Sequence, residues 1–230
     1  MFKSGIKDLL HVFFPHVCTG CGSDIIDSTN MLCLRCLAEL PLTNFAEQPG
    51  NPVEQKFYGR MPVRHATSSY YFAKNSIIEN LVYQLKYRGN KDIGFYLGKL
   101  MGEHLSQSPR FQSIDAIIPL PLNKRREKMR GYNQAAFIAN GISAEWDKPV
   151  WEKEVIRKVY TETQTKRDRI SRWENMKNAF GIANSDKLRA KHLLLVDDVI
   201  TTGASLEACG MEMLKVEGVT ISVAALAFTN

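Results

Sequence analysis

Leu193-Leu-Leu-Val196 is an unbroken apolar run closed by Asp197-Asp198 and then by Thr201-Thr202-Gly203-Ala204-Ser205. Successive side chains of a strand point to opposite faces, so a strand apolar at every position is covered on both. That confines the chain to architectures in which a sheet is buried from two sides. Val219 to Phe228 and the short Ile114 to Ile118 have the same character, and Ala66 to Phe72 suits a further strand. Between them the period changes. Ile77, Ile78, Leu81, Val82 and Leu85 share one helical face after a cap expected at Asn75. A second helix is expected over Ile93 to Leu105, a third through Ala135, Ile138, Ala139 and Ile142, and a fourth from the Thr-Thr-Gly turn to about Val216. Strands alternating with helices predict an α/β fold, a mostly parallel sheet with helices on both faces. Such sheets bind ligands at the carboxyl ends of their strands.

A chain of 230 residues, 44% hydrophobic and 23% charged, can fill such a core and excludes a disordered or fibrous class. Its longest apolar stretches, Ala116 to Leu122 and Val223 to Phe228, fall far short of the ~18 residues of a membrane-spanning helix. No membrane insertion is expected. Lys7 and Asp8 interrupt the apolar N-terminus, which argues against a secretory signal and for a cytoplasmic protein. By composition the chain divides into residues 1–44, a linker at 45–65 that contains Glu47-Gln-Pro-Gly-Asn-Pro52, and an α/β domain at 66–230. The first part opens with an amphipathic stretch of Ile6, Leu9, Leu10 and Phe13.

Cys18, Cys21, Cys33 and Cys36 form CxxC-x11-CxxC. Two such knuckles place four thiolates tetrahedrally around zinc, a closed and therefore structural site; iron and redox thiols are the alternatives. Gly20 and Gly22 supply permissive backbone beside Cys21, and His16 is spare. Cys209 shares a helical stripe with Leu206, Met213 and Val216, which makes it a packed core thiol. Loss of the cysteine module is expected to leave the α/β domain folded.

The turn after Asp197-Asp198 opens a helix, and the first amides of a helix point outward and hold phosphate. Thr201, Thr202 and Ser205 add hydroxyls, Gly203 lets backbone approach an oxygen, and the two carboxylates suit ribose hydroxyls or hydrated Mg²⁺. The formal net charge is +6, and its distribution carries the information. Residues 124–130 hold five cations against one acid, and 157–172 hold six against two. Either is a solvated face or an anion site.

The Asp-Asp-x-x-Thr-Thr-Gly-Ala-Ser pattern resembles the 5-phosphoribosyl 1-pyrophosphate (PRPP) motif of type I phosphoribosyltransferases. With the four cysteines, Lys86-Tyr-Arg-Gly89, Pro119-Leu-Pro-Leu122, Arg130-Gly-Tyr-Asn-Gln134, Thr161-x-x-Gln164, Arg172-x-x-Asn175 and Ala179-Phe180, the chain resembles the ComF family. Residues 166–169 depart from the family pattern, reading Lys-Arg-Asp-Arg where an apolar residue belongs.

The resemblance implies a phosphoribosyltransferase-like fold with an N-terminal zinc module and a part in DNA uptake and natural transformation. It implies that Asp197, Asp198, Thr201, Thr202, Gly203, Ala204 and Ser205 bind Mg²⁺-PRPP. The basic loop after the Ile114 to Ile118 strand would be the pyrophosphate loop, with Arg130, Asn133 and Gln134 as ligands, and Lys86 and Arg88 would reach phosphate from a helix end. Lys124, Arg125, Arg126, Lys128 and Arg172 are further candidates for pyrophosphate or DNA phosphate. Residues 159–175 would cover the site. Thr201-Thr202-Gly203 lacks the acid of the Asp-Thr-Gly common in 6-oxopurine salvage, so the acceptor is open, as is catalysis itself. A non-catalytic single-stranded DNA-binding protein, with Tyr132 and Trp173 as stacking faces, and a PRPP-sensing regulator are the alternatives. A DNA-uptake helicase is the partner the family implies.

Overall fold

The computed structural model describes residues 16–24, 30–158 and 179–229. Ile6 to Phe13, Arg172, Trp173 and the rest of the expected covering loop from 159 to 175 lie outside them.

The elements in chain order are α1 (Leu34–Ala38), a 3₁₀ turn (Phe45–Glu47), α2 (Pro52–Gln55), β1 (Ala66–Tyr71), α3 (Ile77–Tyr87), α4 (Lys91–Gln107) and β2 (Ala116–Pro119). Then follow α5 (Lys124–Arg130), α6 (Gln134–Trp146), β3 (Val155–Arg157), β4 (Phe180–Ile182), α7 (Ser185–Leu188), β5 (His192–Ile200), α8 (Ala204–Met213) and β6 (Thr220–Phe228). The main sheet runs β1-β6-β5-β2, every neighbouring pair parallel, and β3-β4 is a separate antiparallel pair. A mostly parallel sheet with helices on both faces is the expected class. Among the described residues no helix is long and apolar enough to cross a membrane.

Alternation along the central strands divides the core. Leu194 and Val196 pack with α3, α4 and α6; Leu193 and Leu195 pack with α2 and α8. Full burial of each such side chain stabilises by ~1.5 to 3 kcal/mol, which is why an apolar run and not an alternating one marks this strand. On the first face α4 and α6 touch through backbone. A Cβ on Gly98 would lie 2.3 Å from the Ile138 carbonyl oxygen, and one on Gly141 2.1 Å from that of Phe95. Close contact there fixes α6, and with it Gln134 at its start.

Two local expectations change. Ser76, not Asn75, caps α3, its hydroxyl accepting from the Glu79 amide at 3.2 Å; Asn75 sits in the left-handed region at φ 59°. The basic segment 124–130 is a helix instead of a loop, because Asn123 caps it and Gly131, at φ 82°, ends it. Residues 45–65, expected as a linker, contribute Phe45, Val53, Phe57 and Met61 to the second core. Asn51 Nδ2 ties the segment to the Ala66 carbonyl at 2.8 Å, and Arg110 pairs with Glu54. The cysteine module is likewise continuous with the first core, where Cys18, Leu32, Cys36 and Leu40 are buried.

At the amino end of β5, His192 bridges Ser113 Oγ and Ser222 Oγ, each at 2.9 Å. Burial lowers its pKa to about 4. The unfolded chain takes up this proton near ~6.5 while the folded chain refuses it until about 4. Stability is therefore complete above the upper value and falls as pH drops through that window. Thermal melts of a His192→Gln chain between pH 7 and 4 are expected to fall less steeply than those of the parent; parallel curves would show that another group sets the acid limb.

Candidate functional site

The carboxyl ends of the parallel strands surround a cavity of about 430 Å³. β2 ends at Pro119 opposite Val196, so β5 runs on past its neighbour and carries Asp197 and Asp198 beyond that edge. The strand itself continues to Ile200, two residues beyond the second of the acids expected to close it. Phe72, Leu120 to Leu122, Val199 and Thr229 mark the strand ends on the wall. Lys86, Tyr83 and Tyr87 come from α3, Arg126 and Arg130 from α5, Gln134 from α6, and Arg157 from β3.

Lys86 Nζ lies 2.8 Å from Asp198 Oδ1, with Asp198 almost fully buried. Asp197 Oδ1 accepts from the Asp198 amide at 2.8 Å. Burial and the adjacent Asp198 carboxylate raise the Asp197 pKa to about 7, against the pull of Lys86 and Arg130. In the same lining, burial and the like charge of Arg126 lower the Arg157 pKa. Two guanidiniums brought together favour an anion, although Asp197 offsets part of their mutual repulsion. Four polar atoms of the lining are buried with no hydrogen-bond partner among the described residues: Arg130 Nε and Nη1, Gln134 Oε1 and Asp198 Oδ2. Native proteins rarely leave such groups unpaired, so the lining offers a guanidinium, an amide and a carboxylate to further polar partners.

At the turn into α8, Thr201 and Ser205 line the cavity, whereas Thr202, Gly203 and Ala204 do not. Gly203 caps the helix at φ 73° without a side-chain cap of its own, and the Ala204 amide donates to Thr202 Oγ1 at 3.4 Å. A Cβ here would lie 3.1 Å from the Phe57 ring. Backbone conformation and the core behind it both demand a glycine here. Arg60 straps the turn, donating to the Thr202 carbonyl at 2.8 Å and pairing with Glu207.

The four cysteine sulfurs lie within 4.8 Å of one another. The Cys21 and Cys33 sulfurs are 3.8 Å apart, the edge of a tetrahedron with metal–sulfur bonds of ~2.3 Å. The Cys33 amide donates to Cys18 Sγ at 3.2 Å and the Cys36 amide to Cys33 Sγ at 3.4 Å. A Cβ on Gly20 would reach within 2.9 Å of Cys36 Sγ. The donor set fits a metal ion such as zinc. The knuckle also rests on α3, because Gln84 Nε2 donates to the Thr19 carbonyl at 2.8 Å and Asn80 Nδ2 to that of Gly20 at 3.2 Å.

Competence protein F of Haemophilus influenzae is 30% identical over 223 residues, which span 95% of this chain and 93% of that protein. The chain belongs to the ComF family. DNA utilization protein YhgH of Salmonella typhimurium is 31% identical over 147 residues, 62% of this chain and 63% of that protein. Competence protein ComFC of Bacillus subtilis is 27% identical over 99 residues, 43% of this chain and 38% of its own length. A scan against models of protein families finds no match. Among solved structures, a glutamine PRPP amidotransferase from B. subtilis aligns with a TM-score of 0.42 at 14% identity, over 61% of this chain and 30% of the enzyme. That likeness is too slight to carry an argument, and the parallel order of the sheet stands on its own strand pairing.

In this ComF protein the residues singled out from sequence do not all meet. Asp197, Asp198, Thr201, Ser205, Lys86, Arg126, Arg130 and Gln134 share the cavity wall. Lys124, Arg125 and Lys128 are exposed on α5, which buries no residue. Arg88 lies over the Tyr83 ring instead. Asn133 serves as a strut: its Oδ1 caps α6, and its Nδ2 donates to the Leu120 carbonyl at 3.1 Å. The Tyr132 hydroxyl donates to the Leu85 carbonyl, which commits that ring to holding α3. Tyr83, Tyr87, Arg60 and Arg157 were missed. Tyr83 and Tyr87 were legible as the i, i+4 pair flanking Lys86; Arg60 and Arg157 reach their places only through tertiary packing.

Proposed function

We propose that this ComF protein binds a phosphorylated ribose, PRPP together with Mg²⁺, in the cavity at the carboxyl ends of the sheet, and serves the uptake or use of DNA. The observation that carries the reading is the set of unpartnered buried atoms on Arg130, Gln134 and Asp198, which offers guanidinium, amide and carboxylate to one ligand. Guanidinium suits phosphate, and carboxylate suits ribose hydroxyls or a hydrated cation. Asp197 and Asp198 would hold Mg²⁺, whose charge supplies electrostatic stabilisation of the pyrophosphate oxygens. The amino end of α8, which carries no side-chain cap from Gly203, and the Thr201 and Ser205 hydroxyls beside it suit a terminal phosphate. Lys86, Arg126, Arg130 and Arg157 line the same cavity, and four cations there would stabilise the charge of a departing pyrophosphate, which supports transfer of the phosphoribosyl group as the reaction. The role in DNA handling rests on the names of the relatives from H. influenzae and S. typhimurium. The cysteine cluster is assigned zinc, as a closed four-thiolate site. Calorimetry with Mg²⁺-PRPP tests the reading.

A direct contact with single-stranded DNA is favoured by one observation. Lys124, Arg125 and Lys128 are exposed on α5, outside the cavity wall that Arg126 and Arg130 of the same helix help to form. Changing all three to glutamine is expected to flatten the dependence of log K on log[salt] for an oligodeoxynucleotide by about 2, from ~0.7 per phosphate contact. Anisotropy titrations at several salt concentrations measure this. An unchanged slope would remove α5 from any DNA interface.

A further inference from the structure

Tyr83 and Tyr87 are large aromatic side chains left exposed, 47% and 60%, on a cavity whose wall also carries Lys86, Arg126, Arg130 and Arg157. They are one helical turn apart on α3, with ring centroids 5.3 Å apart and planes inclined at 44°. A cation lies against each: the Arg88 guanidinium carbon is 5.8 Å from the Tyr83 centroid and that of Arg130 is 5.6 Å from Tyr87. Lys86, between them in sequence, turns inward to Asp198. The helix is held in this orientation from behind, by Gln84 and Asn80 on the cysteine knuckle and by Tyr132 on the Leu85 carbonyl.

We propose that Tyr83 and Tyr87 form a stacking platform for a nucleobase attached to the sugar-phosphate that occupies the cavity. The proposal rests on the sugar-phosphate reading of the cavity and adds the class of group beside it. Two observations select a base over a purely apolar group. The rings share the cavity with Lys86, Arg126, Arg130 and Arg157, which suits an occupant that is both planar and anionic. Gln134, buried to 5% exposure on the same wall, has an amide oxygen with no hydrogen-bond partner among the described residues. An amide reads the edge of a base as readily as a ribose hydroxyl, and an aliphatic occupant would leave it unpaired.

The test compares three probes by calorimetry: ribose 5-phosphate, deoxyadenosine 5′-monophosphate and a twelve-residue oligothymidylate. The base-bearing probes are expected to bind roughly 5- to 150-fold more tightly than ribose 5-phosphate, the range that stacking on an aromatic side chain supplies. In a Tyr83→Leu/Tyr87→Leu chain that ratio falls to about one, and in Tyr83→Phe/Tyr87→Phe it survives. An advantage shared by the mononucleotide assigns the base to a free nucleotide. One confined to the oligonucleotide assigns it to a strand, and either result upholds the platform. Ribose 5-phosphate binding without any advantage for the base-bearing probes would overturn the platform alone, as would an advantage that persists in the leucine chain. No binding of ribose 5-phosphate would overturn the cavity reading and the platform with it.

Discussion

A Cys36→Ser chain is expected to lose its metal and to melt at least about 10 °C below the parent, since loss of a structural metal exceeds ~4 kcal/mol and each kcal/mol shifts the melting point of a chain this size by ~2 to 4 °C. The sequence alone predicts that such a loss stops at residue 44. The structure extends it. Cys18 and Cys36 are buried in the same core as Leu81, Leu85, Leu97 and Met101. The Thr19 and Gly20 carbonyls take their donors from Gln84 and Asn80 of α3. Releasing the knuckle therefore loosens the helix that presents Tyr83, Lys86 and Tyr87 to the cavity. Metal analysis together with hydrogen exchange over residues 77–87 measures both effects; a metal-free chain with full protection of α3 would separate the module from the site.

The second large effect is expected at Lys86. Its ammonium and the Asp198 carboxylate are 21% and 5% exposed, and removing one partner of such a pair leaves the other charge buried without compensation, at ~3 to 5 kcal/mol. Lys86→Met is expected to lower the melting point by about 6 to 20 °C. Asp198→Asn costs less, because the lysine stem carries its charge outward into the cavity. The double variant Lys86→Met/Asp198→Asn recovers much of the loss. A coupling below about 0.5 kcal/mol in that cycle would mean that the pair contributes no net stability.

These two cases show where sequence reading reached and where it stopped. Leu193 to Val196 was legible because both-face burial writes itself as an unbroken apolar run, and the cysteine cluster because its ligands are local in sequence. Asp197, Asp198 and the turn after them were legible as one segment for the same reason. Lys86 reads as a free cation because nothing in its neighbourhood announces a partner more than a hundred residues away. Asn133 and Tyr132 lie in a segment rich in cations, yet their side chains brace backbone carbonyls. Segment 45–65 has the Pro, Gly and Asn content of a linker, but its four large apolar residues complete a core that only the assembled sheet provides. Arg60 carries no pattern at all and Arg157 only its place in the basic segment 157–172; packing brings them to the turn and the cavity wall.

The central claim is that the cavity beyond Pro119 and Asp197 is a sugar-phosphate site. Isothermal calorimetry of the parent chain with PRPP and Mg²⁺ tests it most directly. The account predicts saturable binding of one PRPP per chain, competed by ribose 5-phosphate. It also predicts weakening by roughly 10- to 150-fold in Asp198→Asn, the worth of one lost charge-assisted hydrogen bond of ~1.5 to 3 kcal/mol. Absence of binding by the folded, metal-loaded parent, or affinity unchanged in Asp198→Asn, would contradict it.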